Sequence, residues 1–329
     1  MKNPDNVGIV AIGGYAPPKL LTNGELEKMV DTSDEWIVSR SGISTRHIAE
    51  SEVATSDLGL QAAKMALERA GMLAEEIDLI IFATVTPDYP LPATACILQR
   101  ELGAFNAVAF DISAACSGFI YSVTVASAMI NDGPYRNALV VGADCLSKFI
   151  DYTDRGTCVL LGDGAGAVIL KKVPAGRGLL TSYLRTDGRG ADALMIPGGG
   201  SRMPASAETV ESHAHFIKMN GSEVFKFAVR VLEEAVRSAL ENAGLTTDDV
   251  ALIVPHQANI RIIDSAAKRL HIPADRWVIN LQKYGNTSAG SIPLALNEAF
   301  EDGRLHEGDV VVLAGFGGGL TWGALVMRW

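Results

Sequence analysis

ALERAGMLAEEIDLII at residues 66–81 and ALENAGLTTDDVALIV at residues 239–254 are two copies of one pattern, set 173 residues apart. Each runs from a helix-spaced segment through an acidic turn into an apolar run of strand length. A second pair follows near the same offset, NALVVGA at 137–143 resembling DVVVLAG at 309–315. Repetition over such a distance means two related units in one chain. The turn-rich PAGRG at 174–178 is the junction between them, so the halves are read as residues 1–174 and 175–329. Around the repeat, VGIVAI (7–12), IDLIIFA (77–83), AVAFDI (107–112), ALVVGA (138–143) and AVIL (167–170) read as buried strands. Helical spacing at Leu58–Ala70 and Cys116–Ile130 alternates with them, an α/β layered pattern. Residues 13–54 and 187–219 read as insertions on the two halves and carry Trp36, Arg40, His213 and His215.

Composition narrows the function classes. The 329 residues are 48% hydrophobic and 20% charged, enough for a large core. A net charge of −10 with no Lys/Arg run excludes nucleic acid as a main partner, because phosphate neutralisation needs clustered cations. The N-terminal MKNPDNVGIVAIGG lacks the apolar stretch of a signal peptide, and no run approaches the roughly 18 apolar residues of a membrane span. A soluble, cytoplasmic protein is expected. Cys96, Cys116, Cys145 and Cys158 show no CxxC spacing, which points to free thiols in a reducing compartment.

Three residues stand where α/β sheets keep their sites. Cys116 follows the strand AVAFDI and the link SAA and opens a helix-spaced segment. A thiol at such a corner faces the positive end of a helix dipole, which favours the thiolate; the alternative is an inert buried cysteine. Cys96, inside TACILQ, reads as a core residue. His256, in LIVPHQAN, ends the second-half copy of the 77–83 strand, and the competing reading is a hydrogen-bonded structural histidine. Asn286, in YGNTSAGSIP, opens a second-half helix at a corner close in the repeat to that of Cys116, and a plain helix N-cap would explain it equally well. If the halves are pseudo-symmetric, the three strand ends converge. GFGGG (315–319), after the strand VVVLA, allows backbone N–H groups to approach a ligand closely, as an oxyanion hole requires, or forms a tight turn. GDGAG (162–166) precedes a strand and not a helix, so it is no dinucleotide loop. His213 and His215 lack a third metal ligand.

The combination AACSGF, HQAN, YGNTSAGS and GFGGGLTWG, with TSDEWIVSRSGI near the N-terminus, resembles β-ketoacyl-acyl-carrier-protein synthase III, the initiating condensing enzyme of bacterial fatty-acid synthesis. The likeness runs from about Gly8 to Trp329. It implies a thiolase-like, five-layered αβαβα fold of two pseudo-symmetric halves, a homodimer, and acyl-CoA and malonyl-acyl-carrier-protein as substrates; taken with the charge, hydropathy and ligand patterns above, no metal or other cofactor and no membrane or nucleic-acid partner is expected. Carried over by position, Cys116 is the acylated nucleophile, His256 and Asn286 complete the catalytic set, and the N–H groups of Cys116 and Gly318 form the oxyanion hole. Trp36 and Arg155 match the pair that sandwiches the adenine of coenzyme A, and Thr32, Arg40 and Asn259 match its other contacts. Phe225 and Phe316 fall at the tunnel mouth, as does Lys226, and Leu91 falls at a wall of the primer pocket. Lys226, Arg261, Lys268 and Arg269 form the expected carrier-protein docking face. A related thioester-transferring enzyme of secondary metabolism, with another starter or acceptor, is the alternative; a non-catalytic acyl-CoA scaffold conflicts with the presence of all three catalytic residues.

Overall fold

The computed structural model describes residues 6–329; Met1–Asp5, the start of the segment read for a leader, lie outside them. The first half contributes β1 (Asn6–Tyr15), a small ribbon of β2 (Leu20–Thr22) and β3 (Thr45–His47), then β4 (Leu79–Ala83), β5 (Val108–Ile112), β6 (Asn137–Asp144) and β7 (Gly164–Val173). The second contributes β8 (Gly178–Thr186), a short pair β9 (Leu194–Met195) and β10 (Lys218–Met219), then β11 (Val250–Pro255), β12 (Val310–Gly317) and β13 (Thr321–Arg328). The long strands form two sheets, ordered β1-β7-β6-β4-β5 and β8-β13-β12-β11. In both, the helix-linked strands run parallel, β4 with β5 and β6 and β11 with β12, as crossover connections require.

Helices fill the spaces around these sheets. The first insertion carries α1 (Asn23–Leu26) and α2 (Asp34–Ser41); α3 (Thr55–Ala70), α4 (Thr94–Leu102), α5 (Gly118–Asp132) and α6 (Arg155–Cys158) follow. The second half holds α7 (Ala207–Glu211), α8 (Gly221–Ala243), α9 (Ile260–Leu270), α10 (Leu281–Tyr284) and α11 (Ser291–Glu301). Because successive strand residues face opposite ways, β4 splits its side chains between two cores. Ile80 and Phe82 pack with α3 and α4, whereas Leu79 and Ile81 pack with α5. β12 does the same: Val310, Val312 and Ala314 meet α8 and α9, and Val311 and Leu313 meet α5 and α11. The order is therefore α3/α4, sheet, α5/α11, sheet, α8/α9, five layers with α5 and α11 buried between the sheets.

The repeat survives in the backbone. α5 and α11 start at residues 118 and 291, and the left-handed glycines closing α3 and α8 are Gly71 and Gly244, each pair 173 apart. Cys116 itself sits in a tight 3-10 turn, Ala115–Ser117, and α5 begins only at Gly118. Cys96, read as core, is exposed on α4, with its sulfur turned toward Ala109 O at the sheet edge.

Candidate active site

Each half builds an elbow in which a left-handed residue precedes the turn into the middle-layer helix: Ala115 (φ +47°) before α5 and Ser288 (φ +49°) before α11, again 173 apart. The elbows touch, the Cys116 sulfhydryl donating to Ser288 Oγ at 3.5 Å. In the repeat, the counterpart of Cys116 is Ala289 and the counterpart of His256 is Ala83. The first elbow is pinned from the second half by β13: Thr321 Oγ1 donates to Ala114 O at 3.1 Å, and Ser117 Oγ donates to Thr321 O at 3.2 Å. The end of β12 lies so close that a Cβ at Gly317 would stand 2.6 Å from Cys116 N, a separation real side chains do not reach.

His256 follows β11, its N–H donating to Ala314 O at 2.8 Å. Gln257 locks that corner from inside: its amide donates to Pro255 O and Val278 O and accepts from Asn280 N and Leu281 N. Ser291 Oγ accepts the Gln257 N–H at 2.7 Å and lies 3.0 Å from His256 Nδ1. With no other acceptor for its hydroxyl hydrogen among the described residues, Ser291 donates to Nδ1, so the ring proton belongs on Nε2. Burial lowers the pKa of the imidazole to about 3, and the ring is neutral. Asn286 lies five residues before α11 and caps no helix; its Oδ1 accepts Ser288 N–H at 2.9 Å, which leaves its Nδ2 to donate elsewhere.

Cys116, His256, Asn286 and Gly318 all line one cavity of about 540 Å³, together with Ser288, Phe225, Phe316 and Asn259. Phe316 packs edge-on against the His256 ring at 5.2 Å. The thiolate expected at Cys116 is not favoured here. Burial pushes the thiol up to about 12, and the buried Asp144 carboxylate nearby adds to that, against the lowering effect of the hydrogen bond with Ser288. Ser288, Ser291 and Asp144 are site residues that motif reading passed over, although the serines stand in the quoted run NTSAGS.

Of the residues expected to contact coenzyme A, Asn259 lines the cavity, whereas Thr32, Trp36, Arg40 and Arg155 do not. Asn259 caps α9 by accepting Arg261 N–H at 2.9 Å and donates to Arg40 O at 2.9 Å, tying α2 to the cavity mouth. The Arg155 guanidinium lies 4.9 Å from the centre of the Trp36 ring. A base sandwiched between them needs about 7 Å, two van der Waals stacks, so the pair must part to admit one. Thr32 Oγ1 is buried without a hydrogen-bond partner. Arg261 stacks on Phe225 at 5.1 Å. Lys226 and Lys268 are exposed, whereas Arg269 is engaged by Glu233 at 3.4 Å, which also holds Arg237. Leu91 does not line the cavity: it is 85% exposed, on the loop between β4 and α4. His213 pairs with Asp151 at 2.9 Å rather than with His215 around a metal. No helix among the described residues is long and apolar enough to cross a membrane.

Comparison with known proteins agrees with this geometry. Residues 110–188 match the family model of 3-oxoacyl-[acyl-carrier-protein (ACP)] synthase III, and residues 240–329 match that of its C-terminal part. A β-ketoacyl-[acyl-carrier-protein] synthase III of Desulfitobacterium hafniense is 56% identical over 324 residues, 98% of each chain. Among solved structures, the β-ketoacyl-[acyl carrier protein] synthase III of Thermus thermophilus superposes with a TM-score of 0.92 at 47% identity, covering 98% of this chain and 99% of that one. The 3-oxoacyl-[acyl-carrier-protein] synthase III of Aquifex aeolicus gives 0.91 at 46%, covering 98% and 100%.

Proposed function

Because this chain belongs to the β-ketoacyl-[acyl-carrier-protein] synthase III family, we propose that the cavity at the seam of the two sheets carries out both half-reactions of an initiating condensing enzyme. The protein is an acyltransferase that begins fatty-acid synthesis by condensing an acyl-CoA primer with malonyl-acyl-carrier-protein. In the first half-reaction the Cys116 sulfur attacks the acyl-CoA carbonyl, the C–S bond to coenzyme A breaks, and the proton lost by Cys116 ends on the coenzyme A thiol. In the second, malonyl-acyl-carrier-protein loses CO₂, and the electron pair left behind forms a thioester enolate. His256 Nε2–H and Asn286 Nδ2–H donate to the enolate oxygen. Its carbon attacks the acyl-Cys116 carbonyl, whose oxyanion is held by the N–H groups of Cys116 and Gly318. Collapse releases the β-ketoacyl product, and the expelled Cys116 thiolate takes up a proton from solvent. With one proton taken from solvent per turnover, the steps balance and call on no cofactor.

The observation that carries the reading is a neutral His256 whose Nδ1 is occupied by Ser291, beside an amide whose oxygen is occupied by Ser288. Both groups are left as donors, which suits enolate stabilisation better than base catalysis. Trp36, Arg155, Thr32, Arg40 and Asn259 are proposed to hold coenzyme A at the rim, and the four free cysteines fit a cytoplasmic setting. The homodimer is proposed to form along β5, whose outer edge has no strand partner among the described residues and is flanked by exposed Leu91, Phe105 and Val108. So exposed a Leu91 can wall a primer pocket only in a second copy. The test is intact-protein mass spectrometry after incubation with acyl-CoA. Cys116→Ala should show no acyl adduct, whereas His256→Ala and Asn286→Ala should acylate normally and lose condensation by about 10²–10³. An adduct on Cys116→Ala, or equal loss of both half-reactions in the other two, overturns the assignment.

A further inference from the structure

Trp36 and Arg155 sit on separate short helices, α2 and α6, of eight and four residues. Helices this short hold no fixed place by themselves, so their mutual position depends on tertiary ties. Several of those ties meet at one side chain. Arg46, in β3, is 0% exposed. Its Nη1 donates to Leu21 O at 3.1 Å and Asn23 Oδ1 at 2.8 Å, its Nη2 donates to Val159 O at 2.8 Å, and its Nε has no partner. All its partners are neutral. Burial lowers its pKa to about 10, so it remains charged at neutral pH. A buried cation without an anion costs stability, and an apolar side chain of similar volume would avoid that cost.

The bonds of Arg46 lead to both sides of the Trp36–Arg155 pair. Asn23, held through its Oδ1, passes the link on: its Nδ2 donates to Asp34 Oδ1 at 2.7 Å, the first residue of α2, and to Ile43 O at 2.9 Å, just past that helix. Val159, whose carbonyl takes the other arm of the guanidinium, is the C-cap of α6. The planar fork of arginine can bridge these points at once, which a lysine ammonium on its flexible stem cannot do. Beneath the pair, Ile37, Cys158 and Val159 form a small apolar cluster that closes over the same residues.

We infer that Arg46 is a positioning residue for the nucleotide end of the thioester substrate, setting the relation of Trp36 to Arg155 through Asn23 and Val159 while touching no substrate itself. The inference rests on reading Trp36 and Arg155 as the adenine pair. Steady-state loading of Cys116 is measured with an acyl-CoA and with the matching acyl-pantetheine, which lacks the nucleotide, using Trp36→Ala as reference. Arg46→Met raises the KM for acyl-CoA by about five- to tenfold, the lower part of what one base–aromatic stack is worth. It leaves kcat and the acyl-pantetheine KM unchanged, and Arg46→Lys recovers part of the loss. Should Arg46→Met fail to fold, Asn23→Ala, which cuts only the branch to α2, gives the same selective rise. Equal damage with both thioesters, or no rise with acyl-CoA while Trp36→Ala shows one, overturns the inference. If Trp36→Ala itself leaves the acyl-CoA KM unchanged, the adenine reading fails and the inference falls with it.

Discussion

At Cys116 two influences on the thiol oppose one another. A helix terminus is worth roughly 0.3–1 kcal/mol to a nearby anion, whereas moving a full charge out of water costs several kcal/mol. Burial wins, and the thiol is pushed up to about 12. Alkylation of Cys116 by iodoacetamide should therefore rise about tenfold per pH unit from pH 7 through pH 9 without levelling off, because only the thiolate reacts. A plateau below pH 8 would mean that the helix end governs after all. His256 behaves the opposite way: its lowered pKa keeps it neutral down to about pH 3, so its donor role does not titrate in the working range. Sequence singled out Cys116 and His256 because each follows a strand, and Asn286 because it stands at the second-half corner close in the repeat to that of Cys116. It did not reveal Ser288 or Ser291, whose roles come from what they touch: Ser288 meets a sulfur 172 positions away, and Ser291 meets an imidazole 35 positions away. Local pattern carries no information about such contacts.

Among the elements, α8 and α9 form the charged lip of the cavity. Spacing along α9 places Arg261, Lys268 and Arg269 on one face, yet the three are not equivalent. Arg269 is neutralised by Glu233 on α8, whereas Arg261 lies over Phe225 at the cavity mouth and Lys268 is exposed. An acidic carrier protein approaching a chain of net charge −10 needs such a local patch. Arg261→Glu should raise the KM for malonyl-acyl-carrier-protein several-fold while acyl-CoA loading and the melting temperature stay near wild type; Arg269→Glu should matter less. The effect should shrink at 1 M salt, where the screening length is about 3 Å. Unchanged carrier-protein kinetics at low salt would reduce Arg261 to a surface charge. The strand and helix order was readable because buried parallel strands are continuous apolar runs. The orientation of the 84–93 loop was not: nothing in DYPLPATAC says which side of a sheet edge Leu91 faces.

For the whole molecule, the open side of β5 sets the expected assembly. Sedimentation at micromolar concentration should give twice 34.8 kDa, and Phe105→Glu, which places two like charges across a two-fold contact, should halve that mass. A wild-type species of single-chain mass would exclude the β5 pairing. The paired elbows have a longer reach. Ala289 stands where the first half has its nucleophile, and Ala83 stands where the second has its histidine. Each unit thus carries a blank at the position its twin fills. This is the signature of one gene segment copied in tandem, after which the two copies divided a single set of chemical duties, and neither can now stand in for the other.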